Sequence, residues 1–189
     1  MLFRSKKLQE HFFDWNEIRV SSARELADVL EEHLPDAEAR GQRIIDFLQE
    51  VFETTFSFDL EGLQKKGLKQ AAKQLARYQA ANDYAVAWVI QHSLGGHAIP
   101  LDAQALRVLR RLGILEEGPS NDLEALRASL EHQIPKAKGS LFVDLISSVA
   151  EEHCWEADPA CVACPLGHHC PTGLEQKSAA VAATSKKPR

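Results

Sequence analysis

The sequence predicts an all-α fold, a helical bundle closed by a cysteine-rich loop near its C-terminal end. Three observations carry that expectation. Apolar residues recur at spacings of three and four along most of the chain, the period of a helix with one buried face. Strand-type patterning is scarce: Val51–Phe58 is a β-rich run, and it fits the helical period as well. All four cysteines, Cys154, Cys161, Cys164 and Cys170, fall between positions 154 and 170.

The elements follow in order. Leu26, Val29, Leu30 and Leu34 mark a first stripe, entered through Ser22 with Glu25 three residues on, a capping-box pattern. Ile44, Ile45, Leu48, Val51 and Phe52 mark a longer second stripe. Leu68, Ala71, Ala72 and Leu75 form a third, with Gly67 just before it. Ala85, Val86, Val89 and Ile90 form a fourth, halted by Gly95-Gly96. Leu106, Leu109 and Leu112 form a fifth, stopped by Gly113. Leu123, Leu126 and Leu130 form a sixth, ahead of Pro135. Leu141, Leu145, Ile146 and Val149 form a seventh that leads straight into Cys154. No repeat of fixed period is visible. The expected organisation is a helical domain over residues 1–153, a cysteine loop over 154–173 and a disordered tail over 174–189. The tail is rich in Ala, Ser and Lys and has no periodicity.

A chain of 189 residues with 44% hydrophobic and 26% charged side chains suits one globular domain. No apolar run approaches a membrane span, and residues 1–10 lack the apolar centre of a signal peptide. A soluble, cytoplasmic monomer is expected. The formal charge is −5, and the last residues from Gln176 carry Lys177, Lys186, Lys187 and Arg189 without an acid. The body of the chain is therefore more acidic still, which counts against strong nucleic-acid binding unless a basic patch is set apart.

Cysteines gathered in one short stretch point to metal ligation rather than to disulfide stapling of a whole chain. The gaps between them are six, two and five residues. Four thiolates suit zinc or iron–sulfur. Zinc sites of four cysteines usually pair them as two close couples, and here only Cys161 and Cys164 form one. That asymmetry fits a cuboidal cluster better; a zinc loop assisted by His168 or His169 is the other reading.

The run Cys154-x6-Cys161-x2-Cys164-x5-Cys170, with Pro165 after the third cysteine, resembles the cluster loop of the endonuclease III family and its adenine glycosylase relatives. The resemblance implies a 4Fe-4S cluster held by Cys154, Cys161, Cys164 and Cys170, mainly structural, shaping a loop that meets the DNA backbone. A second stretch, Gly95 to Val108, resembles the family segment in which Val-Asp-Thr-His opens a helix followed by Arg-Val. Asp102 falls on the family's catalytic aspartate, Arg107-Val108 match, and Ala103-Gln104 replace Thr-His. The implied chemistry is N-glycosidic bond cleavage on a base flipped from the duplex, with the carboxylate stabilising charge at C1′ or activating water. Read from the residues alone, Asp102 is a helix N-cap.

The departures are equally specific. The family's helix-hairpin-helix turn, Leu-Pro-Gly-Val-Gly-Arg-Lys-Thr-Ala, counts back onto Gln79 to Ala85, where Ala80 and Asn82 replace both glycines and Asp83 brings a negative charge. In relatives that turn presents backbone N–H groups to a phosphate; Asn82 tolerates a left-handed conformation. Tyr84 occupies the lyase lysine position and cannot form a Schiff base, so β-elimination by the family's route is not expected. Residues 6–20 resemble the segment before Ser22–Leu30. Helices that lie earlier in similar proteins supply a base-opening glutamine or a catalytic glutamate, so either the true start lies upstream or this chain lacks that part.

Lys65, Lys66, Lys69, Lys73 and Arg77 form a basic run, read either as a solvated helix face or as a phosphate contact. Arg107, Arg110 and Arg111 follow Asp102 and are expected to face the same DNA groove. His97 reads as a loop histidine. Trp15, Trp88 and Trp155 read as packing residues, Trp155 also shielding the loop. The function expected by resemblance is base-excision repair, with binding of damaged or abasic double-stranded DNA and, if active, monofunctional N-glycosylase chemistry at Asp102. The alternative is a non-catalytic iron–sulfur protein of the same fold that binds DNA or a partner.

Overall fold

The computed structural model describes residues 2–30, 36–115 and 123–185, and Leu34 of the first stripe and Lys186, Lys187 and Arg189 of the tail lie outside them. Among the described residues the architecture is all helical. No helix there is long and apolar enough to cross a membrane. Contacts divide the chain into two compact units, Met1–Val86 and Ala87–Arg189. The sequence expectation drew its boundaries by the cysteines instead, at 153 and 173.

The first unit holds α1 (Leu2–His11), α2 (Trp15–Val20), α3 (Ala23–Leu30), α4 (Ala37–Thr55) and α5 (Leu68–Leu75). α3 starts where the capping box predicts. Ser22 N–H donates to Glu25 Oε2 at 2.7 Å, and Glu25 N–H donates back to Ser22 Oγ at 3.2 Å. Its Leu26 and Leu30 are buried with Leu8, Phe12, Ile18 and Leu48, which makes the unit's core. Gly41 of α4 faces α3, where a Cβ would meet the Ala23 carbonyl oxygen at 2.7 Å. Helix–helix approach at that point requires glycine. α4 absorbs the β-rich run as far as Thr55 and ends at Phe56, whose φ of 53° is left-handed. Phe52 stacks on Phe58 at 5.5 Å, and the Arg19 guanidinium sits 4.5 Å over its ring.

α6 (Asp83–His92) runs through the division between the units. The second unit continues with α7 (Ala103–Arg111), α8 (Leu123–Gln133), α9 (Gly139–Glu152) and α10 (Pro171–Ser185). α7 packs on α9. The second unit's core joins Ile99, Leu101, Val108 and Leu109 to Leu130, Val143, Ile146 and Ala150; Leu109, Leu130 and Ile146 of the expected stripes are buried in it, whereas Leu141 and Leu145 of the seventh are exposed. Gly113 ends α7 with φ 71°, and Ile114 N–H reaches back to the Leu109 carbonyl at 3.0 Å, a Schellman closure.

Of the stretch expected to be a disordered tail, residues 174–185 are helical, as part of α10, which begins at Pro171. Proline at the first helical position and a following alanine-rich run account for it. Periodicity could not announce this helix, because alanine supplies propensity without an apolar stripe.

Candidate metal centre and candidate active site

The four cysteines are brought together in the second unit. Cys154 follows α9, Cys161 opens a turn, Cys164 lies between that turn and the next, and Cys170 precedes α10. All four are free, and all four line one small cavity with apolar walls that include Val108, Leu112, Val149 and Leu166. Burial pushes the Cys161 thiol up from its ordinary value of 9.0, and Cys170, Cys154 and Cys164 add to that shift while Arg111 opposes it.

Two glycines make the loop this tight. A Cβ on Gly167 would meet the Cys161 carbonyl oxygen at 2.3 Å and the Cys164 carbonyl oxygen at 3.1 Å. A Cβ on Gly173, in the first turn of α10, would meet the Gly167 carbonyl oxygen at 2.7 Å. The loop therefore folds onto itself and the last helix docks on the fold by backbone contact.

α7 clamps the loop from below with two arginines. Arg107 Nε donates to the Cys154 carbonyl at 2.8 Å. Arg111 Nη1 donates to Cys154 Sγ at 3.3 Å and to the Trp155 carbonyl at 2.6 Å, and its Nη2 donates to the Glu156 carbonyl at 2.9 Å. The Cys170 thiol donates to the Arg111 carbonyl at 3.0 Å. Sequence reasoning turned Arg107 and Arg111 toward DNA; the structure turns both onto the protein's own loop. A fork of donors that satisfies several carbonyls at once is what a guanidinium provides.

Among the described residues no group of three or more His, Cys, Asp or Glu side chains is placed to hold a metal ion. The four thiols instead border a shared apolar void, with a cationic hydrogen-bond donor on one sulfur. Soft donors spread around a cavity fit a polynuclear sulfide cluster better than one tetrahedral ion. His168 and His169 are exposed, and His168 Nδ1 lies 3.4 Å from Lys177 Nζ. Trp155 is 48% exposed, with its ring N–H donating to the Glu151 carbonyl at 2.8 Å, so it does not seal the loop. Trp15 is likewise 40% exposed, while Trp88 stacks on His92 at 4.3 Å.

Asp102 opens α7 and is half-buried. Its backbone is extended (φ −105°, ψ 178°), and Oδ1 accepts from Ala105 N–H at 2.7 Å. The approach to it is rigid: Ile99, Pro100 and Leu101 are buried, and Ile99 N–H donates to Glu131 Oε1 at 3.0 Å. His97 Nε2 lies 2.8 Å from the Glu131 carbonyl, which makes His97 a loop-to-helix tie.

The turn between α5 and α6 holds no glycine. Among the described residues no left-handed backbone is needed there: Asn82 is absent from the positive-φ set and caps α6, with Oδ1 accepting from Ala85 N–H at 2.9 Å. What the sequence did not announce is Glu50. Its carboxylate, from α4, accepts from Gln79 N–H at 2.6 Å and from Ala80 N–H at 3.3 Å. Two successive amides of the turn thus converge on one internal anion. Tyr78 beside them is buried and meets Phe47 edge-on at 5.4 Å.

The helical fold is shared with solved structures of DNA glycosylases. In particular the fold is that of endonuclease III. A non-covalent endonuclease III–DNA complex superposes with TM-score 0.68 at 18% identity, covering 93% of this chain and 76% of that one. A trapped endonuclease III–DNA covalent intermediate gives 0.66 at 18%, covering 92% and 76%. A thermostable thymine-DNA glycosylase gives 0.61 at 17%, covering 91% and 75%. No protein-family profile and no curated protein matches the chain by sequence.

Proposed function

We propose that this chain is a base-excision-repair protein that binds damaged or abasic duplex DNA and carries a structural 4Fe-4S cluster on Cys154, Cys161, Cys164 and Cys170. The reading is supported above all by the four thiols lining one cavity in a fold shared with proteins seen in complex with DNA. When bound, the cluster would cross-link α9, the loop and α10. The chain's own residues do the rest: Gly167 and Gly173 permit the close loop, and Arg107 and Arg111 hold it to α7. Asp102 is the proposed catalytic carboxylate of a monofunctional N-glycosylase, stabilising positive charge at C1′ or orienting water. Tyr84 in place of an amine leaves no route to a Schiff base at that position. The protein acts as a cytoplasmic monomer.

A second reading keeps the fold and the DNA or partner binding without catalysis. It is favoured by the hairpin turn, where Glu50 already occupies the amides that would otherwise face an anion.

The experiment is binding of anaerobically purified protein to a duplex carrying an abasic-site analogue, against undamaged duplex at equal salt. Preference for the abasic duplex supports the repair reading, and loss of base release in Asp102→Asn then separates the two versions. Equal or absent binding to both duplexes sinks it. Cys161→Ser should lose iron, sulfide and the brown absorbance; an unchanged spectrum removes Cys161 from the ligand set. Borohydride should trap no covalent DNA adduct.

A further inference from the structure

Residues 64–82 carry five basic side chains and no acidic one, whereas the other residues of positions 1–86 carry seven basic and fifteen acidic. The cations are arranged on α5 and its flanks. Lys66, Gln70, Lys73, Gln74 and Arg77 line one open groove of about 200 Å³. Gln70, Lys73 and Gln74 belong to α5, while Lys66 lies just before it and Arg77 just after it, so both ends of the helix bring a cation to the same groove. The adjoining face is fixed in place by buried Ala71, Leu75 and Tyr78, so the basic face is held outward. Lys66 Nζ donates to Gln74 Oε1, and among the described residues no carboxylate pairs with Lys66, Lys73 or Arg77.

Like charges four apart on a helix repel, and Lys69 and Lys73 stand at that spacing within α5, with Lys65 and Lys66 before it and Arg77 after it adding to the same positive charge. A solvated face normally mixes signs. This one concentrates positive charge in an otherwise acidic unit, against its own helix. The adjacent turn offers no outlet, since the Gln79 and Ala80 amides are satisfied by Glu50.

We infer that the α5 groove of Lys66, Lys73 and Arg77 is a binding site for the phosphodiester backbone of nucleic acid, in place of the hairpin turn. This deepens, and rests on, the DNA-binding reading above. Ammonium and guanidinium groups neutralise successive phosphates and release their counterions, and the Gln70 and Gln74 amides can donate to phosphate oxygens. The contact reads no bases, so it serves damaged and undamaged duplex alike.

The test is a salt series of duplex affinity for the full chain, for Lys66→Gln/Lys73→Gln/Arg77→Gln, and for Arg24→Gln/Arg40→Gln/Arg43→Gln, which removes the same charge from exposed positions elsewhere in the unit. The slope of log K against log salt should fall by about 3 in the groove variant, with affinity on the order of tenfold lower at moderate salt, and stay near wild type in the control. Should the groove variant melt early, Lys73→Gln alone should lower the slope by about 1. A groove variant with the wild-type slope, or a control that loses as much, overturns the groove while leaving DNA binding intact. Wild-type protein that binds no duplex at any salt overturns the DNA-binding reading and the groove with it.

Discussion

Arg111 and Cys154, 43 positions apart, meet side chain to side chain: the guanidinium donates to the sulfur at 3.3 Å while also holding the Trp155 and Glu156 carbonyls. The last turn of α7 is thereby the floor of the cysteine loop.

Arg111→Ala should destabilise the second unit by about 1–3 kcal/mol, since several charge-assisted bonds are lost from a half-buried group. Arg111→Lys should recover little, because an ammonium cannot span three separate acceptors. Urea unfolding followed by tryptophan fluorescence measures both, and wild-type stability in Arg111→Ala would refute the clamp.

Gly167→Ala places a methyl within reach of two cysteine carbonyls, so the loop backbone has to move. The expected cost is about 1–3 kcal/mol, together with lower iron and sulfide content after purification. Gly62→Ala, where nothing lies within 4 Å of the new Cβ, should stay within about 0.5 kcal/mol of wild type. Equal behaviour of the two variants would show that loop packing is loose.

Glu50→Ala leaves the amides of Gln79 and Ala80 without their carboxylate. A loss of about 1–2 kcal/mol is expected in the first unit. Hydrogen exchange localises it: those two amides should exchange faster while Leu75 and Ala71 amides change less. Unaltered protection at both positions would mean that the turn does not depend on Glu50.

Glu25 has its carboxyl pulled below the ordinary 4.5, first by the Ser22 backbone N–H and then by the Ser22 hydroxyl, against a small opposing effect of burial. A depressed folded-state value means that the capping box contributes fully above the unfolded value and is lost as pH falls through the folded one. Fraying of the start of α3 on acidification, read from the Ser22 amide resonance, should therefore follow Glu25 protonation and be absent in Glu25→Gln.

Local chemistry made much of this molecule readable. The capping box at Ser22 and Glu25, the glycine stop at Gly113 and the apolar stripes all act within a few residues, so their spacing reports the helix directly. The gathering of the four cysteines was readable for the same reason, and all four line one cavity. Asp102 was readable as a cap, and its bond to Ala105 is that cap. Long-range side-chain partners were not: Glu50 reaches a turn 29 positions away, and Arg107 and Arg111 reach a loop more than 40 away. A charge in sequence says nothing about which backbone groups will need it. α10 was not announced because alanine forms helix without a pattern.

α7 has a further consequence. It is nine residues long, about 13 Å, with Asp102 at its head and Arg111 at its foot. Insertion or loss of one residue within it would turn one end against the other by about 100°. Carboxylate and cysteine loop are thus geared together through one short shaft, so the register of one end fixes that of the other.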